Sequence, residues 1–237
     1  VRIGPGPLTP GVKGLIIACV VVFFVQAVLP GYQFDQIFGL SSYGLIGQWR
    51  LWQPVTYLFL HSTDILFHLI FNMLMLWMFG TELERRWGMQ AFFQYFLFCG
   101  IGAGLLSVLL DLLSGLIGSG PVLSATYTVG ASGAIYGLLA AQALLFPNRV
   151  LLLFFFFPVR MRTAVLLMAA ITFWVAFTSS GSAVNHVAHL GGMAFGWIYL
   201  QRAWNLRRLW HDWRWKVRRR RYRVVSDIRD DDRYHFH

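Results

Sequence analysis

The sequence predicts an all-α membrane protein, a bundle of six transmembrane helices with an interfacial first loop. Three observations predict it. Hydrophobic residues make up 57% of the 237-residue chain and charged residues only 13%, about half the charge of a typical soluble domain. Apolar runs of membrane-crossing length recur between short polar breaks. The cations collect in alternate breaks, the pattern that orients polytopic proteins.

Taken in order, residues 1–12 hold three prolines and three glycines and are expected to form a flexible N-terminus. Residues 14–29, after Lys13, are the first span. The run could be a signal peptide with Arg2 and Lys13 as its basic region, but it is long for one and is read as a retained helix. In residues 30–53, Pro30, Gly31, Gly39, Gly44 and Gly47 interrupt helical periodicity. Tyr32, Phe34, Phe38, Tyr43, Trp49 and Trp52 make the same segment aromatic, which suits a connection lying at the membrane interface. Arg50, between two tryptophans, reads as its anchor.

Residues 65–80 are the second span, with His68 and Asn72 four apart on one face. Residues 81–88, with Glu82, Glu84, Arg85 and Arg86, are expected to be a charged structural turn. Residues 90–113 are the third span and 114–128 an uncharged Gly/Ser-rich loop. The fourth span starts near Val129 and stops before Pro147. Residues 148–162 hold an apolar run too short to cross, ended by Pro158, and read as an extended or interfacial connector at the membrane face. Residues 163–178 and 186–203 are the fifth and sixth spans, joined by a small polar loop at 179–185. The membrane domain is therefore residues 13–203. Cys19 and Cys99 lie inside apolar runs and read as small buried hydrophobes.

Residues 204–237 are a basic cytoplasmic tail. Nine Lys/Arg fall between Arg207 and Arg223, interleaved with Trp204, Trp210, Trp213 and Trp215. This suits an interfacial segment against anionic lipid headgroups. Most of the excess behind the net charge of +10 lies there, so no nucleic-acid partner is expected. With six spans, Arg2, Lys13, Arg85, Arg86, Arg149, Arg160, Arg162 and the tail fall on one side of the membrane, and Arg50 on the other. Both termini are then cytoplasmic and the chain is an integral multi-pass cell membrane protein.

That orientation starts spans two, four and six at the outer face. His68, Asn72, Ser132, Tyr136 and His189 each fall roughly 5–10 Å below it. Ionisable groups at such depth are costly and are candidates for function. The stretch from Val129 to Gly137 reads Val-Gly-Ala-Ser-Gly-Ala-Ile-Tyr-Gly. Small residues there also suit close helix packing. A serine hydroxyl needs a base to become a nucleophile, and histidine serves near neutral pH. His189 is read as that base, because Gly192 and Gly196 form a small face that can lie on Gly133 and Gly137 and bring imidazole to hydroxyl. His68, Asn72 and the Ser132 N–H are candidate donors to an oxyanion. Tyr136, one turn from Ser132, could stack on the base and orient it. Gly130, with the other four glycines, is counted among the close-packing positions.

The ordered set of Trp49-Arg50, His68-x-x-x-Asn72, Glu84-Arg85-Arg86-x-Gly88, Gly130-x-Ser132-Gly133 with Tyr136, and Ala188-His189-x-x-Gly192-x-x-x-Gly196 resembles the rhomboid family of intramembrane serine proteases. The resemblance covers about residues 15–203. It implies a water-filled pocket open to the outside, a Ser132–His189 dyad and an oxyanion hole of His68, Asn72 and the Ser132 N–H. It implies cleavage of single-span or other transmembrane protein substrates near their outer end, with span five and residues 179–185 gating the approach. No cofactor and no metal are implied. Asp111 is not read as a third member. His186 stands where the family often has a small polar residue, and His61 reads as interfacial.

Other chemistries fit poorly. The chain has no His-Glu-x-x-His for zinc, and Asp35, Asp64 and Asp111 lie at loops or helix ends. A transporter would place its polar groups near the midplane, commonly with internal repeats. A catalytically silent client-binding relative would lack the serine or the histidine, and this chain has both.

Overall fold

The computed structural model describes residues 6–28, 31–153, 157–178 and 186–201. The chain divides into two compact units, Val1–Tyr199 and Leu200–His237. The first unit holds all of the described residues except the last two. The expected loop at 179–185 and the tail from residue 204 lie outside the described residues, as do residues 1–5 and 202–203.

The first unit is mostly helical. Helix α1 is Pro10–Val28, α2 is Gly31–Phe38 and α3 is Gln53–Thr56. Helix α4, Leu66–Met75, runs through a π-helical turn at Leu76–Gly80 into α5, Thr81–Trp87. Helix α6 is Met89–Leu116, α7 is Ser132–Leu145 and α8 is Met161–Thr178. Residues 186–201 are helical, α9. Among the described residues, Pro10–Val28, Leu66–Trp87 and Met89–Leu116 are long and apolar enough to cross a membrane, and α7 and α8 are shorter apolar helices.

One expectation changes at the N-terminal side. The charged segment at 81–88 is a helix, not a turn, and it ends at Gly88, whose φ of +82° and ψ of 161° suit only glycine. Arg85 and Arg86 fall in its last turn, where cations complement the helix dipole. Residues 6–12 make specific contacts with the rest of the fold, because the first N–H groups of α1 need acceptors. Buried Glu84 supplies them, taking Gly11 N at 2.8 Å, Val12 N at 2.8 Å and the Thr9 hydroxyl at 2.5 Å. Arg85 donates to the Pro7 carbonyl, and Trp77 Nε1 to the Gly6 carbonyl at 3.2 Å. Each buried donor left bare costs about 1–3 kcal/mol. Glu84→Ala is therefore expected to destabilise the fold by about 3 kcal/mol, read as a lowered thermal midpoint in lipid.

The first connection is also more helical than its glycines suggest. It contains α2, a π-helical turn at Tyr43–Gly47, and α3. Gly44 lies against the Gln53 amide, 2.5 Å from where its Cβ would stand. Glycine is needed there for close approach rather than to break the helix. Arg50 Nη1 donates to the Gln36 carbonyl at 2.5 Å and Trp52 Nε1 to the Ile37 carbonyl at 2.9 Å, so anchor and tryptophan tie this segment back onto α2.

Val150–Leu153 and Phe157–Arg160 are extended and pair antiparallel as β1 and β2. Arg149, beside them, forms an ion pair with Glu82 and lies over the Phe146 ring. The core gathers between α4, α6 and α7, where Tyr57, Leu76, Phe92, Tyr95, Phe96, Leu138 and Leu139 are almost wholly buried.

Candidate active site

Ser132 is the first residue of α7. The first intrahelical bond of that helix runs from Ile135 N to Ala131 O at 3.0 Å. The N–H groups ahead of it therefore have no helical acceptor. The turn into the helix is made by Gly130, with φ of +119°, and its N–H donates to the Tyr57 carbonyl at 2.9 Å. The expectation that Gly130 packs helix against helix is corrected here. It lies before the helix, and its roles are backbone conformation and close approach. A Cβ there would stand 3.0 Å from His68 Cε1 and 3.1 Å from Nε2.

α6, α7 and α9 approach closely enough that only small residues fit. Gly133 would bring a Cβ to 2.8 Å from Ala103, and Gly137 one to 2.6 Å from Cys99. A Cβ on Gly192 would overlap the Gly133 carbonyl, and one on Gly196 would overlap the Tyr95 hydroxyl and reach Gly137 Cα at 3.1 Å. The Tyr95 hydroxyl donates to Gly137 O at 2.7 Å across the same contact. This approach sets His189 Nε2 2.8 Å from Ser132 Oγ. Tyr136 lies flat on the His189 ring, with centroids 4.2 Å apart and 1° between planes. His186 meets the same ring edge-on at 6.1 Å.

A sequence model of the rhomboid domain matches residues 48–205. The chain belongs to the rhomboid family. It is 36% identical over 137 residues to "Rhomboid protein 1, mitochondrial" of Saccharomyces cerevisiae, covering 56% of this chain and 36% of that one. It is 30% identical over 162 residues to "Rhomboid protease GluP" of Bacillus subtilis, covering 68% and 28%. To "Rhomboid-like protein 11, chloroplastic" of Arabidopsis thaliana it is 31% identical over 171 residues, covering 69% and 56%. The matched region is thus less than two thirds of each relative's length.

In this rhomboid, His68 comes from α4. Its Nδ1 accepts the Ser62 N–H at 3.4 Å, which leaves the proton of the neutral ring on Nε2, the nitrogen beside Gly130. Asn72, one turn on, is buried and donates one amide hydrogen to the His68 carbonyl at 2.8 Å. Its second amide hydrogen is a further donor. Asp111 hydrogen-bonds to the Ser42 hydroxyl, whose oxygen also takes Ser124 N at 2.7 Å. It therefore ties the first connection to the segment leading to α7.

His61, read as interfacial, is fully buried within the protein. Its ring lies 5.3 Å from that of His68, and Gln26 brackets its backbone, accepting from His61 N and donating to His61 O at 3.1 Å each. Burial and then the neighbouring His68 pull its pKa down to about 4, against the opposing Phe59 carbonyl, so it is neutral at physiological pH. Two residues near the site carry no signal in the sequence. Tyr57 holds both Gly130 N and, through its hydroxyl, the Gly100 carbonyl at 2.5 Å. Thr172 on α8 lies 3.4 Å from the Tyr136 hydroxyl. Both sit among apolar residues, with no telling spacing to a partner.

Proposed function

We propose that this rhomboid is an intramembrane serine endopeptidase that cleaves transmembrane protein substrates through Ser132 and His189. The observation that carries the reading is the 2.8 Å approach of His189 Nε2 to Ser132 Oγ. At that distance an unprotonated Nε2 takes the hydroxyl proton as Oγ attacks the scissile carbonyl, then returns it to the leaving amine. Water hydrolyses the acyl-enzyme by the same proton route. The Tyr136 face holds the imidazole plane. The Ser132 N–H, His68 Nε2–H and the second Asn72 amide hydrogen supply oxyanion donors. Asn72→Ala is expected to lower kcat by about 10- to 1000-fold, measured in steady-state turnover.

Helix lengths support a wet site at membrane depth. The 14 residues of α7 extend about 21 Å, short of a hydrocarbon core about 30 Å thick. The irregular residues 117–131 before it then reach into the bilayer, where such backbone is tolerated when it lines a water-filled cavity. In this reading α1, α4–α5, α6, α7, α8 and α9 are the six spans, the first connection lies at the outer interface, and both termini are cytoplasmic, as the cation distribution favours. A helical substrate must open its hydrogen bonds before attack, which favours small, helix-weakening residues at the cut.

The test is cleavage of a set of single-span substrates in lipid vesicles, wild type beside Ser132→Ala. Cleavage by the wild type alone is expected. Equal cleavage by both would remove the proposed nucleophile.

A further inference from the structure

Helix α8 has an unusual inward face. Ile171 is 62% exposed and Phe173 56% exposed, yet Thr172 between them is only 6% exposed. Leu166, Leu167 and Trp174 are also outward. The helix thus offers lipid an apolar surface and turns a hydroxyl toward α7. Valine would fill the same volume without a polar atom, and a buried hydroxyl costs free energy unless it is bonded. The Thr172 hydroxyl lies 3.4 Å from the Tyr136 hydroxyl, at the long limit of a hydrogen bond.

Tyr136 is held against His189 by a parallel ring contact. Such a contact fixes the spacing of two rings but resists sliding only weakly, because dispersion is non-directional. The hydroxyl is the one polar handle at the far end of the tyrosine ring. A partner there stops the ring sliding, and the imidazole plane beneath it is fixed in turn. The contacts form one series: Thr172 to Tyr136, Tyr136 to His189, His189 to Ser132.

We propose that Thr172 is a positioning residue for His189, acting through the Tyr136 hydroxyl. The proposal rests on the serine-protease reading above. It makes the geometry of the base depend on where α8 sits, so that displacement of this helix loosens the Ser132–His189 pair.

The test uses the full chain in lipid vesicles, a single-span substrate and a fluorophosphonate probe that reacts with Ser132 directly. Thr172→Val is expected to lower kcat and the labelling rate together by about 3- to 10-fold, the usual worth of one hydrogen bond. KM and the thermal midpoint stay near wild type, and Thr172→Ser restores the rate. Tyr136→Phe, which keeps the ring, lowers both rates by a similar factor. Thr172→Val then adds nothing in the Tyr136→Phe background. A normal Thr172→Val in an active protein overturns the proposal alone. So do independent, multiplying effects of the two substitutions, or a loss that tracks the thermal midpoint. A wild type that neither cleaves nor labels overturns the protease reading, and the proposal with it.

Discussion

Ser132→Ala and His189→Ala are each expected to lower turnover by roughly 10⁴- to 10⁶-fold, the scale seen when one member of a nucleophile–base unit is removed. The two losses should not multiply. Without the hydroxyl the imidazole has no proton to take, and without the imidazole the hydroxyl is a weak nucleophile, so the double variant should resemble either single one. Binding should survive, because neither side chain is needed to admit a helix. Ser132→Ala should therefore retain a single-span substrate in co-purification while leaving it uncut. Steady-state kinetics in lipid on the three variants checks the pattern. A double variant far worse than both single ones would mean that the groups act separately.

Gly192→Ala is expected to be nearly as damaging, although it removes no reacting atom. One added methyl group would overlap the Gly133 carbonyl, which is backbone and cannot rotate away. α9 must then shift from α7, at a cost of about 3 kcal/mol or more for overpacking. The shift opens the 2.8 Å Ser132–His189 separation, and a displacement of about 1 Å costs on the order of 100-fold in rate. Gly14→Ala is the matched control: nothing stands within 4 Å of its Cβ position, so the rate should stay at the wild-type level and stability should not fall. Thermal midpoints and turnover on both variants decide this. Unchanged turnover in Gly192→Ala would show that the close approach does not set the site.

The parts legible in the sequence are those governed by spacing. Ser132 and Tyr136 stand one helical turn apart, as do the glycines of each pair; in the structure His189 meets Ser132 and Tyr136, and Gly192 and Gly196 lie against Gly133 and Gly137. The apolar runs likewise mark the helices to within a few residues, except that the second run continues as helix through the charged residues 81–87. Features that depend on long-range contact are not legible. Glu84 looks like part of a charged turn because the N–H groups it accepts lie more than 70 residues away, at the start of α1. Gly130 resembles the packing glycines around it, and only its positive φ separates it from them. The glycines of residues 30–53 look like breakers, whereas Gly44 makes room for Gln53 inside a helical segment. The burial of His61 goes with the Gln26 amide, 35 residues away, which pairs with its backbone.

The most direct measurement is the site of covalent modification. Fluorophosphonate-treated protein in lipid vesicles, digested and analysed by mass spectrometry, should carry one adduct, on Ser132. The adduct should be absent in His189→Ala over the same interval. Phosphonylation of another residue, or an equal yield without His189, would contradict a nucleophile activated by that imidazole.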